Sequence, residues 1–290
     1  MILQKHPSHE DPRKAGEMTP LTKQKQKLLI FAGAGASVDS GLPAFRKATD
    51  EVASSATVWG DENVDDICSF SIWRKAHASQ DHHKILHIHN FYKKLQDNIR
   101  KAKPNTFHHF VQTLIKEDIY DVTVVTTNVD DLFEKAGVPK EKVIHLHGSI
   151  LDRRCPACNH TFRDVTDEWM SELDLQRCPR HRCKSRLVKT DVAFYGERCP
   201  NYLQGKQAFN RLQAGDGIIM VGSSGETFGE AKQLWAKCRK RNVHTVHINP
   251  QTIPHLVYPA DLVMRSGVRE AIQDLDTYLR TVRMVTEVIS

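Results

Sequence analysis

The stretch Lys27-Leu-Leu-Ile-Phe-Ala-Gly-Ala-Gly-Ala-Ser37 decides the fold class. Its first six residues form an apolar run of the length of a buried strand, and the glycines that follow predict a tight turn. Comparable strand patterns recur at residues 122–127, 143–147, 192–195, 218–221 and 243–248. Helical patterns separate several of them, and strands that alternate with helices predict a mostly parallel sheet with helices on both faces. We therefore predict a doubly wound α/β fold.

Composition and charge place the chain among ordinary globular proteins. Apolar residues make up 40% and charged residues 26% of the 290 residues, which is typical of such domains. The 41 lysines and arginines exceed the 35 acids by six, which suits an acidic partner such as a dinucleotide but is also what a solvated lysine-rich surface gives. The sequence shows no apolar run of membrane-span length and no signal peptide, so we expect no membrane partner and an intracellular, cytoplasmic location.

Four of the seven cysteines fall into two close pairs, Cys155-Pro-Ala-Cys158 and Cys178-Pro-Arg-His-Arg-Cys183. Short gaps within pairs and a long gap between them are typical of tetrahedral zinc sites, because each short loop brings two thiolates to one side of the ion. The second gap also contains His181, a competing ligand, and we favour Cys183. Four protein ligands leave no position for a reacting water, so the sequence predicts one structural zinc ion.

Two segments interrupt the alternation of strands and helices. Residues 47–106 are polar and mostly helical in pattern, and the cysteine pairs lie within residues 151–187. We therefore expect a helical insertion at 47–106 and a zinc-binding module at 151–187. The polar residues 1–26 are expected to be a disordered leader. The remaining segments, 27–46, 107–150 and 188–290, would form the sheet domain.

Polar or glycine-containing turns follow the predicted strands. They are Gly33-Ala-Gly-Ala-Ser37, Thr127-Asn-Val-Asp130, His147-Gly148, Gly222-Ser-Ser224 and Asn249-Pro250. In doubly wound sheets the ligand lies outside the carboxyl ends of the strands, and glycines there let backbone amides approach a phosphate. The third glycine of the common dinucleotide fingerprint is missing, because Val38 stands in its place. An ordinary hydride-transfer dehydrogenase is therefore not expected.

In this order along the chain, the motifs resemble those of the sirtuins, the NAD⁺-dependent protein-lysine deacylases. Gly33-Ala-Gly-Ala-Ser37 and Ser40-Gly-Leu-Pro-Ala-Phe-Arg46 are similar to the cofactor-binding loop of that family, and Thr127-Asn-Val-Asp130 resembles its Thr-Gln-Asn-Ile-Asp motif. His147-Gly148 matches its catalytic histidine, and Asp191-Val-Ala-Phe-Tyr-Gly-Glu197 resembles its acyl-lysine-binding strand. Further matches are Pro104-Asn105 with His108, Gly222-Ser-Ser224 and Ile248-Asn249. The resemblance implies a Rossmann-like NAD-binding domain that carries the zinc module and the helical insertion.

The resemblance also implies roles for individual residues. His147 would act as a general base on an NAD⁺ ribose hydroxyl, since imidazole takes up a proton near neutral pH, and Asn128 would place the nicotinamide ribose for catalysis. Asp130 would bind the nicotinamide carboxamide, although Asn and Asp also commonly cap turns and helices. The implied cofactor-binding residues are Gly33, Ala34, Gly35, Ser37, Phe45, Arg46, Thr127, Asn128, Asp130, Gly222, Ser223, Ser224, Asn249 and Val268. The implied substrate-binding residues are Val192, Ala193 and Tyr195, of which the first two would bind an extended peptide by strand addition.

The implied reaction is deacylation of a lysine side chain of a protein, with transfer of the acyl group to ADP-ribose and release of nicotinamide. Three residues depart from the family pattern: Ala44 replaces a common Asp, Thr127 the usual Gln and Tyr195 the usual Phe. These departures leave open mono-ADP-ribosyl transfer to a protein, or NAD⁺ hydrolysis, at the same site. A more distant alternative is a non-enzymatic zinc module that binds nucleic acid through its arginines. It leaves the strand-end motifs unexplained, so direct nucleic-acid binding is not expected.

Overall fold

The computed structural model describes residues 25–43, 62–162, 177–225, 228–251, 260 and 262–289. Its strands in chain order are β1 Lys27–Ala32, β2 Asp121–Thr126, β3 Val143–His145, β4 Gly148–Cys155, β5 His160–Phe162, β6 Lys189–Val192, β7 Gly217–Val221, β8 His244–Ile248 and β9 Leu262–Met264. Its helices are α1 Val64–Ile67, α2 Phe70–Ala78, α3 His82–Lys101, α4 Thr106–Lys116, α5 Leu132–Lys135, α6 Tyr202–Asn210, α7 Ala231–Lys240 and α8 Val268–Ile289, with short 3₁₀ helices at Ala34–Ser40 and Lys140–Lys142. Ala44, Phe45, Arg46 and residues 1–24 of the expected leader lie outside the described residues.

The main sheet has six strands in the order β3-β2-β1-β7-β8-β9, and every neighbouring pair is parallel. The strand order changes direction between β1 and β7, which is the switch point where doubly wound sheets bind their ligands. The predicted doubly wound sheet is therefore confirmed.

Strand β1 lies in the centre of this sheet and is buried on both faces. Leu28 and Ile30 belong to one buried cluster with Leu275 of α8, whereas Leu29 and Phe31 belong to another with Trp235 of α7. A strand covered by helices on both faces has a continuous apolar run instead of an apolar–polar alternation. This burial explains the pattern of residues 27–32.

The helices beside the switch point are tied to the loop after β1. The Asn105 side chain accepts the backbone N–H groups of Phe107 and His108, which starts α4, and its Nδ2 donates to the carbonyl oxygen of Ala36 at 2.8 Å. Burial lowers the pKa of His108 to about 4, so its ring is neutral at physiological pH. The Pro-Asn-x-x-His pattern thus connects α4 to the loop after β1. Within the described ranges, every helix is too short or too polar to cross a lipid bilayer.

A second, antiparallel sheet has three strands in the order β5-β4-β6. The predicted strand at residues 192–195 is wrong in its bounds, because β6 ends at Val192 and pairs with β4. Beyond it, the Phe194 N–H donates to the Glu197 side chain at 2.8 Å and the Tyr195 N–H donates to the Cys68 carbonyl oxygen at 2.7 Å. The first bond takes the Phe194 N–H out of any strand ladder, and the second belongs to an isolated parallel bridge between Tyr195 and Ser69. Strand β3 likewise ends at His145, two residues earlier than predicted.

Candidate active site and metal centre

The glycine loops after β1 and β7 pack directly against each other. The N–H groups of Gly33 and Gly35 donate to the carbonyl oxygens of Val221 and Gly222, both at 2.9 Å. A Cβ atom on Gly35 would lie 2.6 Å from the Cα atom of Gly222, and one on Gly33 would lie 2.5 Å from the Gly222 carbonyl oxygen. The N–H groups of Gly33 and Gly35 themselves are therefore used within the fold. Both residues are glycine because two backbones touch.

Asn128, Ser37 and Asp130 form one buried hydrogen-bonded group at this edge. Asn128 Nδ2 donates to the Gly33 carbonyl oxygen at 3.0 Å and to Ser37 Oγ at 3.1 Å. Ser37 Oγ donates in turn to Asp130 Oδ2 at 3.0 Å, and Asp130 Oδ1 accepts the Leu132 N–H at 3.2 Å. Asp130 therefore supports the start of α5 and belongs to the site. Burial raises the pKa of its carboxyl group, although the Leu132 and Ser37 hydrogen bonds oppose that rise.

The same group leaves one buried acceptor for a ligand. Asn128 Oδ1 has no hydrogen-bond partner among the described residues. Asn128 lines a pocket with Ala34, Ser37, Asp130 and the apolar side chains Leu42, Val129, Leu95 and Ile99. A buried, unpaired acceptor is unfavourable unless a ligand or water donates to it. This part of the site therefore suits a ligand group that donates a hydrogen bond from a hydroxyl or an amide.

His147 adjoins this group through the chain's own backbone. Its Nδ1 lies 3.1 Å from the carbonyl oxygen of Thr127, the residue before Asn128. A carbonyl oxygen only accepts, so Nδ1 carries the hydrogen and the lone pair of the neutral ring is on Nε2. The backbone of His147 accepts the Ala193 N–H at 2.9 Å. The structure thus brings together His147, Asn128 and the segment predicted to bind the substrate.

A second histidine, which the sequence did not single out, holds the same loop. His145 Nδ1 lies 3.0 Å from the Asn128 carbonyl oxygen, and its Nε2 lies 2.9 Å from Glu134 Oε1. Glu134 lies in the first turn of α5, but only 18% of its side chain is exposed. The period-two spacing of His145 and His147 was the available signal, since alternate residues of an extended segment share a face.

The predicted substrate-binding residues lie between the two sheets and the helical segment. Val192 pairs with Gly148 of β4, and its carbonyl oxygen accepts from Lys189 Nζ at 2.5 Å. Because the Ala193 N–H is bonded to His147, any strand addition at Ala193 has to use groups other than this N–H. The Tyr195 side chain is 56% exposed beside them.

Behind this segment lies a buried group of four charges. Lys189 Nζ lies 2.8 Å from Glu197 Oε2 and 4.0 Å from the centre of the Phe194 ring. Arg154 pairs with Asp191 at 2.8 Å and with Glu197 at 3.6 Å. Burial lowers the pKa of Lys189 to about 8 and raises that of Asp191 to about 6. Two cations and two anions are therefore withdrawn from water beneath the segment that the resemblance assigns to the acyl-lysine.

The loops after β7 and β8 complete the edge. Ser223 Oγ accepts the Gly225 N–H at 3.1 Å, and Asn249 Nδ2 donates to the Ser223 carbonyl oxygen at 3.5 Å. These contacts hold Asn249 of the loop after β8 against Ser223 of the loop after β7. Val268 is buried in the main core at the start of α8, so its side chain packs inside the fold.

The four predicted zinc ligands form one cluster. The Sγ atoms of Cys155, Cys158, Cys178 and Cys183 all lie within 4.8 Å of one another, with separations of 3.6 Å for Cys155–Cys183 and 3.5 Å for Cys158–Cys178. A disulfide needs about 2.05 Å, whereas sulfurs around a tetrahedral zinc are about 3.8 Å apart for Zn–S bonds of about 2.3 Å. The spacing therefore fits a zinc tetrathiolate. His181 is exposed and outside the cluster, which favours Cys183 as the fourth ligand.

Comparison with known proteins agrees with this arrangement. The model of the Sir2 family matches residues 33–229. An NAD-dependent protein deacylase of Helicobacter hepaticus is 28% identical over 270 residues, which cover 87% of this chain and 97% of that protein. One of Pyrococcus furiosus is 28% identical over 273 residues, covering 92% and 98%. Among solved structures, a mutant Sir2 homologue in complex with ADP-ribose has a TM-score of 0.71 at 26% identity, covering 91% of this chain and 94% of that one. A Sir2 homologue in complex with NAD has a TM-score of 0.68 at 26% identity, covering 92% of both chains.

Proposed function

The chain belongs to the Sir2 family, the sirtuins, and from that premise we propose that it is an NAD⁺-dependent protein-lysine deacylase. The acyl group of a modified lysine passes to ADP-ribose, nicotinamide is released and the lysine is freed. The relatives named as NAD-dependent protein deacylases match this chain over nearly their full length, which supports this activity. A cytoplasmic location remains a prediction from the sequence.

One observation carries the proposal. Asn128 Oδ1 lines a pocket and has no hydrogen-bond partner among the described residues, and the ring of His147 bonds to the carbonyl oxygen of Thr127, the residue before Asn128. In our assignment Asn128 Oδ1 accepts a hydrogen bond from the nicotinamide ribose or a bound water. The Asp130 carboxylate accepts from the nicotinamide carboxamide, and Ser37 keeps both side chains in place. These groups orient NAD⁺ for the first step, in which the acyl oxygen of the substrate displaces nicotinamide.

His147 serves the second part of the reaction. Since Nδ1 is bonded to Thr127, the Nε2 lone pair can take a proton from a ribose hydroxyl. That hydroxyl then attacks the acyl carbon, and water completes the release of lysine. The Gly33–Ser37 loop, Thr127, Ser223, Ser224 and Asn249 form the remaining described NAD⁺ surface, and Phe45, Arg46 and Val268 stay predictions from the sequence.

Zinc supports the fold and takes no part in these steps. Four thiolates fill the coordination of a tetrahedral ion, so no position remains for a substrate or a reacting water. The cluster joins β4 to the segment before β6, and β4 begins directly after His147. The metal thereby stabilises the sheet that carries Val192.

The decisive experiment follows nicotinamide and lysine together. The protein is incubated with NAD⁺ and a panel of acylated-lysine peptides, with the unacylated peptide of the same sequence as control. We expect nicotinamide and free-lysine peptide to appear in equal amounts, and only when both substrates are present. Equal nicotinamide release with the control peptide would indicate NAD⁺ hydrolysis, and a protein product that gains the mass of ADP-ribose would indicate transfer. Either result would contradict the proposed function.

A further inference from the structure

Both ring nitrogens of His145 face acceptors. Nδ1 lies 3.0 Å from the Asn128 carbonyl oxygen and Nε2 lies 2.9 Å from Glu134 Oε1. A neutral imidazole carries a single N–H, and a carbonyl oxygen cannot donate one. Two good hydrogen bonds therefore require either an imidazolium ring or a protonated Glu134.

The charges around the pair decide between these states. Burial lowers the pKa of His145, but the hydrogen bond and the negative charge of Glu134 outweigh it, so the pKa ends above its usual value. Burial raises the pKa of Glu134, but His145 and the nearby Lys140 outweigh it, so the pKa ends below its usual value. Asp130 also favours the cation. Both shifts in pKa favour the imidazolium and the carboxylate over the neutral pair.

The position of this cation gives it a role in the site. Three groups hold the backbone around Asn128: His147 binds the carbonyl oxygen of Thr127, His145 binds that of Asn128, and Thr126 Oγ1 accepts the Asn128 N–H at 3.0 Å. The peptide groups on both sides of the Asn128 Cα atom are therefore held by histidines. His145 itself is held, since its carbonyl oxygen accepts from Asn201 Nδ2 at 2.8 Å.

We propose that protonated His145 is a positioning residue for nicotinamide release: it fixes the Asn128 peptide, and once it loses a proton on the alkaline side its remaining hydrogen faces the Glu134 carboxylate, which releases Asn128 and slows the first step. This inference rests on the proposed function. The sign follows from the direction of the shift. Because the pKa of His145 is raised in the folded protein, the contribution of its cation to holding Asn128 is complete below about pH 6.5. This contribution is lost as the pH rises through the higher pKa of the folded protein. The pH dependence of a general base has the opposite sign, because a base acts only after losing its proton and its activity therefore rises with pH.

The reaction that isolates this effect is exchange of labelled nicotinamide into NAD⁺ in the presence of saturating acylated peptide. It reports the first step, which does not use His147 as a base. In the unmodified protein we expect exchange to fall on the alkaline side. In Glu134→Gln the alkaline fall should become much smaller, because the amide of the new side chain can donate to Nε2 and a neutral His145 then keeps its hydrogen on Nδ1, toward the Asn128 carbonyl oxygen. The fall that the unmodified protein shows and Glu134→Gln lacks should be about tenfold, the order expected when a catalytic group is slightly misplaced. Glu141→Gln is the matched control, since Glu141 is exposed on the adjacent 3₁₀ helix.

A spectroscopic measurement reads the charge directly. The imidazole NMR signal of His145, identified by its loss in His145→Asn, should titrate above about pH 6.5 in the unmodified protein and at lower pH in Glu134→Gln. Lys189, whose pKa is lowered by burial to about 8, also titrates in this range. Its described ion-pair partner is Glu197, so a change at Glu134 should not move its effect.

The possible outcomes distinguish failure of the proposed role of His145 from failure of the proposed deacylase function. A folded Glu134→Gln protein whose exchange profile overlays that of the unmodified protein would overturn the role of His145 alone. So would a His145 signal that titrates below the usual histidine range. Absence of peptide-dependent exchange at every pH would overturn the proposed function and this inference with it. A Glu141→Gln profile that keeps the alkaline fall, beside a Glu134→Gln profile that lacks most of it, is the supporting result.

Discussion

The Nδ1 atom of His147 lies 3.1 Å from the carbonyl oxygen of Thr127. This contact fixes the tautomer of the ring and leaves the lone pair on Nε2, as a general base requires. It also joins the base to the residue before Asn128, so the two proposed catalytic groups are held by adjacent parts of one loop. Their tasks nevertheless differ, because only one of them moves a proton.

His147→Ala and Asn128→Ala should therefore have different effects. We expect His147→Ala to lose product formation by a factor of about 10² or more, as general-base loss commonly gives, while it still exchanges labelled nicotinamide into NAD⁺ with acylated peptide. Asn128→Ala should lose both activities, because it places the ribose for the first step. The control is His109→Ala, at an exposed position of α4. Near-normal lysine release by folded His147→Ala would refute its assigned role.

Gly35→Ala should destabilise the protein and weaken NAD⁺ binding. A methyl group there would lie 2.6 Å from the Gly222 Cα atom, and backbone on both sides leaves nothing flexible to yield. Overpacking of this kind costs about 1–3 kcal/mol, and separating the two loops would also displace Ser37. Gly229→Ala is the matched control, because a Cβ atom there meets nothing within 4 Å. Thermal unfolding and NAD⁺ titration should distinguish the variants, and equal melting temperatures would contradict the loop contact.

Local patterns in the sequence predicted the parts of the fold that depend on local physics. The run of residues 27–32 predicted a buried strand because helices cover both faces of β1, and the spacing of the cysteine pairs predicted a shared metal site because short loops converge. The contact of Gly33 and Gly35 with the loop after β7 was not predicted. Their neighbour Gly222 lies about 190 positions away along the chain, and such contacts leave no local signal.

The same limit applies to the charged groups of the site. Glu134 sits where an acid is ordinary on a solvated first turn, and His145 sits in an apolar strand pattern. Only the pairing of β2 with β3 brings them together at 2.9 Å. Likewise, the predicted strand at residues 192–195 is interrupted at Phe194, whose N–H donates to the Glu197 side chain. Side chains that replace ladder hydrogen bonds are not visible in hydrophobic periodicity.

The protein should contain about one zinc ion per chain, as a four-ligand structural site does. Cys155→Ser or Cys178→Ser should lower zinc content and thermal stability, while the folded fraction keeps its activity per molecule, because the metal takes no part in the chemistry. Cys199→Ser is the matched control, since Cys199 lies outside the described cluster. Elemental analysis of freshly purified, chelator-free protein measures the metal. Finding no zinc there would contradict the assignment.

Lys189→Met should weaken peptide binding as well as stability. Lys189 is 1% exposed, and its ammonium contacts Glu197, the Val192 carbonyl oxygen and the Phe194 ring. Removing one partner of a buried ion pair typically costs about 3–5 kcal/mol, because the other charge stays buried. Val192 and Phe194 belong to the segment predicted to bind the acyl-lysine. The KM for the acylated peptide should therefore rise more than the KM for NAD⁺.

The matched control is Lys206→Met, because Lys206 pairs with Glu230 at 2.9 Å but both side chains are 36% exposed. An exposed pair contributes about 0–1 kcal/mol, so this variant should leave stability and both KM values nearly unchanged. Restoring charge balance with Lys189→Met and Glu197→Gln together should recover part of the stability, since the buried group then holds one cation, Arg154, and one anion, Asp191. Recovered stability with a peptide KM that stays high would assign Lys189 to positioning of the substrate segment. If Lys189→Met raised the two KM values equally, its effect would be on the fold as a whole, and the link to the acyl-lysine segment would be wrong.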